Sequence, residues 1–213
     1  MGRIIEAKTF QARKTVMFAR WLLGKFLVRR LPDGSEEARM ILETEAYCGE
    51  SDLACHARAG RTKRTEVMYG EGGVWYVYLC YGIHEMLNLI VGPRGWPEAI
   101  LIRGVEGAIG PGRVTKALAI DRRLNAMAAD PSSGLWLEDR GPRVPRAGVK
   151  VTPRIGVDYA GPIWSAKPWR FTFDPGASLP RRAALGQDRA TPSRLLPSTR
   201  ARAEPVAPTS RDR

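Results

Sequence analysis

The run Glu43-Thr-Glu-Ala-Tyr47 places two carboxylates and a phenol at alternating positions. Apolar residues from Met40 to Leu42 precede it and Cys48-Gly-Glu50 ends it, the pattern of a β-strand. Side chains alternate faces along a strand, so Ile41, Glu43, Glu45 and Tyr47 are expected on one face. Burial and a neighbouring like charge both raise a carboxylate pKa, and a carboxylate so tuned suits general-base work. The plain alternative is a half-exposed strand with a wet acidic face.

Further groups downstream bear on this choice. His56 is one of only two histidines, and Tyr76, Tyr78 and Tyr81 cluster within six residues. Asn88 interrupts the apolar run Met86-Leu-Asn-Leu-Ile-Val91, where a buried amide needs partners. Singly, each has an ordinary reading: a loop histidine, strand packing, a structural network. Tyr81-Gly82 reads as a tight turn, and a large aromatic at its apex is poorly placed for a core. It either probes outward, as wedges that distort DNA do, or folds back on its own hairpin.

These residues need elements to hold them. Apolar spacing and the stop at Gly24 predict an amphipathic helix over residues 11–23. A strand over 25–30 and the turn at Pro32-Asp-Gly-Ser35 lead back into the Glu43 strand as a hairpin. Residues 50–73 read as a long polar loop or a set of short helices. Strands over 74–80 and 83–91 form a second hairpin, with further strands over 98–106, 135–139 and 169–173. Gly110-Pro-Gly-Arg-Val-Thr-Lys116 begins a helix.

The chain has 213 residues, a net charge of +12 and a sequence pI near 10.2. That balance favours a polyanionic partner, nucleic acid first. Beyond Phe173 there are no aromatics, and eight arginines face four acids, so 8 − 4 = +4 lies there and 12 − 4 = +8 on the rest. Residues 174–213 read as a disordered basic tail. No stretch approaches the ~18 apolar residues of a membrane span, and no signal-peptide segment opens the chain. Cys48, Cys55 and Cys80 show neither disulfide nor zinc spacing, which points to a reduced, intracellular protein without a metal site.

Several motifs, taken in order, resemble the alkyladenine (3-methyladenine) DNA glycosylases of the mammalian and Bacillus type. They are Glu43-Thr-Glu-Ala-Tyr-Cys-Gly49, Ala54-Cys-His-Ala-Arg58, Val67-Met-Tyr-Gly70, Tyr76-Val-Tyr-Leu-Cys-Tyr-Gly-Ile-His84, Leu87-Asn-Leu89, Pro97-Glu-Ala-Ile-Leu-Ile-Arg103 and Gly110-Pro-Gly-Arg-Val-Thr-Lys-Ala-Leu118. The resemblance runs from about Phe10 to Phe173. It implies that Glu45 is the base that activates the attacking water, with Arg103 beside that water or a phosphate. It implies a base pocket of Tyr47, His56 and Tyr78, with Asn88 excluding normal guanine. Tyr81 would fill the gap left by the flipped base. Apart from the resemblance, Arg113 and Lys116 are candidate phosphate contacts as basic residues at a glycine-led helix start. Glu43 is left a supporting role. The sequence departs from the family in a short link after Glu106, in Glu66 where relatives favour a small polar residue, and in the basic tail.

The expected architecture is a single α+β domain over residues 1–173, with a curved antiparallel sheet and peripheral helices. The implied enzyme is a monomeric, monofunctional glycosylase that takes damaged purines from double-stranded DNA, with no cofactor and no membrane partner. A rival reading keeps the fold and charge for DNA binding with turnover lost through the short link. A more distant one is a carboxylate hydrolase of a small glycoside.

Overall fold

The computed structural model describes residues 2–141 and 143–178. Among the described residues ten strands are formed: β1 (Arg3–Ile4), β2 (Phe26–Arg30), β3 (Glu36–Cys48), β4 (Trp75–Cys80), β5 (His84–Val91), β6 (Glu98–Val105), β7 (Ala108–Ile109), β8 (Leu135–Asp139), β9 (Val149–Thr152) and β10 (Arg170–Phe173). All pairings are antiparallel, and the main path runs β1-β8-β2-β3-β6-β5-β4. The helices are short: α1 (Thr15–Trp21), α2 (Pro111–Ala117), α3 (Gly161–Ser165) and α4 (Pro175–Ser178). The mixed fold on an open antiparallel sheet is the one expected.

β3 is the axis of this arrangement. Its first half pairs with β2, from Phe26↔Met40 to Arg30↔Glu36. Its second half leaves β2 and takes β10 on that edge, with Arg170 opposite Glu45, while β6 stays on the other edge. One strand thus carries the sheet around a bend, as sheets do where a strand changes partners. The expected hairpin of β2 and β3 is present, and so is that of β4 and β5.

The core lies under one face of the sheet. α1 contributes Phe18 and Ala19, followed by Leu22 and Leu23, and α2 contributes Val114, followed by Leu118. The Thr44 hydroxyl ties α1 to β3 by donating to the Ala19 carbonyl at 2.7 Å. The helix expected over 11–23 is shorter than that. Residues Ala7–Gln11 form a separate 3₁₀ turn, and Ala12 is extended at φ −84° and ψ 146°. The break lets fully buried Phe10 meet Phe18 edge-on at 5.4 Å, with Trp21 beside both. Tertiary packing of three aromatics overrides a continuous helical pattern here.

Within the tail expected from residue 174, Pro175–Ser178 form a helical turn. The remainder of the tail lies outside the described residues. The short link after Glu106 is a two-residue hairpin, in which Gly107 has φ +74° and β7 folds back so that Ile109 pairs with Gly104. Among the described residues no helix is long and apolar enough to cross a membrane.

Trp75 ties β4 to β8 within the core. It is fully buried and its indole N–H donates to the Leu135 carbonyl at 2.9 Å. Trp75→Phe is expected to cost about 1–3 kcal/mol, through the lost hydrogen bond and the space left by the smaller ring, in a urea unfolding titration. A cost indistinguishable from zero would show that this bond does not hold β4 to β8.

Candidate active site

The site begins with two adjacent irregularities where β3 meets β6. The pairing passes from Ile41↔Val105 to Glu43↔Gly104 and then to Thr44↔Ile102. Leu42 is the extra residue on one strand and Arg103 on the other. The first bulge reverses the alternation of faces. Ile41 joins the main core with Ala46, whereas Glu43, Glu45 and Tyr47 share the opposite face. The expectation that Ile41 lies beside the two carboxylates is therefore corrected. The second bulge aims Arg103 back at those acids.

Glu45 is completely buried. The Ile155 backbone N–H donates to its Oε1 at 2.9 Å, and the Tyr47 hydroxyl donates to its Oε2 at 2.8 Å. Arg103 Nε stands 3.5 Å from Oε1. Burial pushes the carboxyl pKa up, opposed by the Arg103 charge and by the two hydrogen bonds, and the like charge of Glu43 adds the smallest push. Glu43 is committed elsewhere: its Oε1 accepts from Arg103 Nε at 2.9 Å and from Arg170 Nε at 2.6 Å. A carboxylate offers about four lone-pair positions, so Glu45 retains capacity to bind a water.

A cavity of about 460 Å³ opens above Glu45. The structure brings Glu45, Arg103, Tyr47, His56, Tyr78, Tyr81 and Asn88 together around it. Register explains part of this convergence, since Tyr76 lies opposite Asn88 and Asn88 opposite Leu101. The Asn88 amide donates to the carbonyls of Tyr76 at 3.2 Å and Met86 at 3.4 Å, which fixes its orientation. His56, at the start of a 3₁₀ turn, has its Nδ1 3.0 Å from the Tyr76 hydroxyl and meets Tyr78 edge-on at 4.6 Å. Burial, then the positive charges of Arg64 and Arg58, lower its pKa to about 4, so the ring is neutral at pH 7.

Cys80 pairs with His84, so Tyr81, Gly82 and Ile83 form a three-residue turn, in which Tyr81 and Gly82 have φ of +50° and +74°. Tyr81 does not fold back on its hairpin: it is 92% exposed, and Ile83 beside it is 73% exposed. Arg113 and Lys116 both lie on α2 with exposed side chains and do not line the cavity. Among the described residues no group of three or more His, Cys, Asp or Glu gathers as a metal site.

Two comparisons with known proteins bear on this pocket. The family model described as methylpurine-DNA glycosylase (MPG) matches residues 9–109 and 107–176, two segments that meet at the β6–β7 hairpin. The chain belongs to this methylpurine-DNA glycosylase family. It is 45% identical over 191 residues to a protein of Psychrobacter cryohalolentis, covering 76% of this chain and 87% of that one. A protein of Anaeromyxobacter sp. is 44% identical, covering 88% of this chain and 97% of its own. A third, from Methanocella arvoryzae, is 43% identical, covering 83% and 96%. All three are provisionally named 3-methyladenine DNA glycosylases.

The pocket also holds groups that sequence reasoning missed. Arg64 lies 5.0 Å above the Tyr78 ring. Tyr159 lines the cavity and donates to the Ala54 carbonyl at 3.0 Å. The Ile155 N–H reaches Glu45 from a turn that carries no motif, because a backbone donor leaves no mark in side-chain identity. Asp52 and Arg154, both fully or nearly fully buried, pair behind the pocket, and only the polar character of the 50–73 segment hinted at the first.

A pH effect on stability follows from His56. Between pH 6.5 and about 4 the unfolded chain binds a proton that the folded imidazole refuses, so this group lowers stability as pH falls through that window. The raised Glu45 pKa acts with the opposite sign, which makes the comparison with a variant necessary. Going from pH 7 to pH 5, His56→Gln is expected to lose less stability than the unaltered protein, by on the order of 1–2 kcal/mol in denaturant titrations. Parallel losses in the two proteins would place the folded His56 pKa near its ordinary value.

Proposed function

We propose that this chain is a DNA glycosylase that removes alkylated purines, 3-methyladenine among them, from double-stranded DNA by hydrolysis of the N-glycosidic bond. The observation that carries this reading is a fully buried carboxylate, Glu45, at an aromatic-lined cavity large enough for a purine. A base inside a duplex is out of reach, so the substrate nucleotide must leave the stack and enter the pocket. Tyr81, exposed at the hairpin apex, occupies the vacated space. The basic surface implied by the net charge of +12 holds the backbone, with Arg113 and Lys116 as phosphate contacts on α2.

In the pocket, Tyr47, His56 and Tyr78 surround the base. Alkylation makes a purine cationic, and aromatic faces attract a cation by roughly 0.5–2 kcal/mol each. A neutral His56 adds no repulsion to that cation. The Asn88 amide, locked by two carbonyls, crowds the place where the exocyclic amine of guanine would lie. Glu45 orients a water toward the sugar carbon, takes its proton, and stabilises positive charge developing on the sugar, with Arg103 beside it. The alkylated base is a good leaving group, so no nucleophilic lysine is required and no strand cleavage accompanies release.

Glu45→Gln is expected to lower release of 3-methyladenine from methylated DNA at least 100-fold while leaving DNA binding near its original strength. Unchanged release would remove Glu45 from the mechanism. Tyr81→Ser is expected to weaken binding to duplex that contains an abasic site about tenfold or more, and affinity of the unaltered protein is expected to fall steeply with salt. Binding without base release by the unaltered protein would favour the non-catalytic DNA binder.

A further inference from the structure

We propose that Arg154 and Asp52 form a positioning pair that holds the Ile155 N–H on the Glu45 carboxylate and so sets the protonation of the catalytic base. The inference rests on the assignment of Glu45 as that base.

The pair is buried, and both terminal nitrogens of Arg154 are engaged, while its Nε has no hydrogen-bond partner. Arg154 Nη1 lies 2.5 Å from Asp52 Oδ2 and Nη2 lies 2.8 Å from Oδ1, a two-pronged contact that only a guanidinium provides. Nη1 also donates to the Ala46 carbonyl at 2.9 Å, and Ala46 follows Glu45 in β3. Nη2 donates to the Trp164 carbonyl of α3 at 3.2 Å. The guanidinium lies 4.8 Å from the centre of the Tyr47 ring, whose hydroxyl is the other donor to Glu45. Asp52 is itself held by the N–H groups of Cys48 and Ala54, both at 3.0 Å. Arg154 therefore pins three segments at once, and the next residue along its chain is Ile155.

This placement has a chemical consequence. The segment after β9 has no ladder partner at Ile155, so the direction of that N–H is set by its neighbour's anchorage. A donor aimed at an ionised carboxylate favours the ionised form. Without it, the burial of Glu45 acts with less opposition and the carboxyl keeps its proton to higher pH. The other groups that face Glu45 are Arg103 from β6, Glu43 and Tyr47 from β3, and Arg170 from β10 through Glu43. Cys55, His56, Arg64, Tyr76, Tyr78, Cys80, Tyr81 and Tyr159 border the same cavity, and none of them contacts the Ile155 N–H.

The test compares the full chain with Arg154→Lys and Asp52→Asn. Single-turnover base release is followed from pH 5 to pH 9 on a 3-methyladenine-containing duplex, with binding to abasic-site duplex measured alongside. The expected result is an acid limb moved upward by roughly one pH unit in both variants, with binding to abasic DNA changed less than threefold. Loss of fold in both variants overturns the proposal, and so does a lower rate with an unmoved acid limb, because the pair then serves structure alone. If the unaltered protein releases no base, the glycosylase reading fails instead. In that case the Ile155 amide nitrogen, followed by NMR in the unaltered protein, still reports on the pair: its shift is expected to titrate with the Glu45 carboxyl and to lose that titration in Arg154→Lys. An Ile155 signal that ignores Glu45, or that titrates unchanged in Arg154→Lys, overturns the proposal as well.

Discussion

A carboxylate removed from water is costly unless donors replace its hydration, and much of this pocket is organised around that requirement at Glu45. The side chain is fully buried, yet it has the Ile155 N–H, the Tyr47 hydroxyl and the Arg103 guanidinium around it. Each donor comes from a different part of the fold. Tyr47 is on the same strand, Arg103 is on β6, and Ile155 lies in the segment beyond β9. Burying this one acid therefore requires the sheet, its bulges and a remote turn to be in register together. The result is a carboxyl pushed up by burial and partly restored by its donors.

The bulges carry the geometry. In an unbroken ladder the residues opposite one another would keep a single alternation along the whole of β3, and Ile41 would lie with the acids. The register shift at Leu42 hands Ile41 to the core and releases the acids to the other face. The shift at Arg103 points a cation at both of them, and Glu43 takes the stronger share at 2.9 Å. Glu43 then satisfies Arg103 and Arg170 together. It acts as the anchor for the arginines, which leaves Glu45 with only a distant ion pair and a carboxylate available for a water.

Around that acid the pocket separates charge from aromatic surface. Tyr47, Tyr76, Tyr78 and a neutral His56 form the walls, with cationic Arg64 over the outer ring. Hydrogen bonds orient the polar wall groups: the Tyr76 hydroxyl for His56, and two carbonyls for Asn88. Tyr81 lies at the end of the β4–β5 hairpin, where a three-residue turn with positive φ at Tyr81 and Gly82 holds it clear of the body. The exposure of Tyr81 and the burial of Glu45 are thus produced by the same sheet, one at a strand end and the other at its centre.

Much of this was legible in the amino-acid order. Alternation and turn residues placed most of the strands, the two hairpins and the start of α2, because these depend on local periodicity and on glycine and proline. Glu45, Tyr47, His56, Tyr78, Asn88 and Arg103 were identifiable because side-chain type and spacing survive in the sequence as family motifs. What the chain order could not convey was decided by contacts between distant segments. The two bulges depend on how β3 and β6 fit over a shared core, and a one-residue slip leaves no local signature. The break between the 3₁₀ turn and α1 depends on three aromatics meeting in space. The donor from Ile155 is a backbone group, and the Asp52–Arg154 pair joins residues 102 positions apart. Side-chain chemistry is written residue by residue, whereas the desolvation and hydrogen bonding that tune it exist only once the chain has closed on itself.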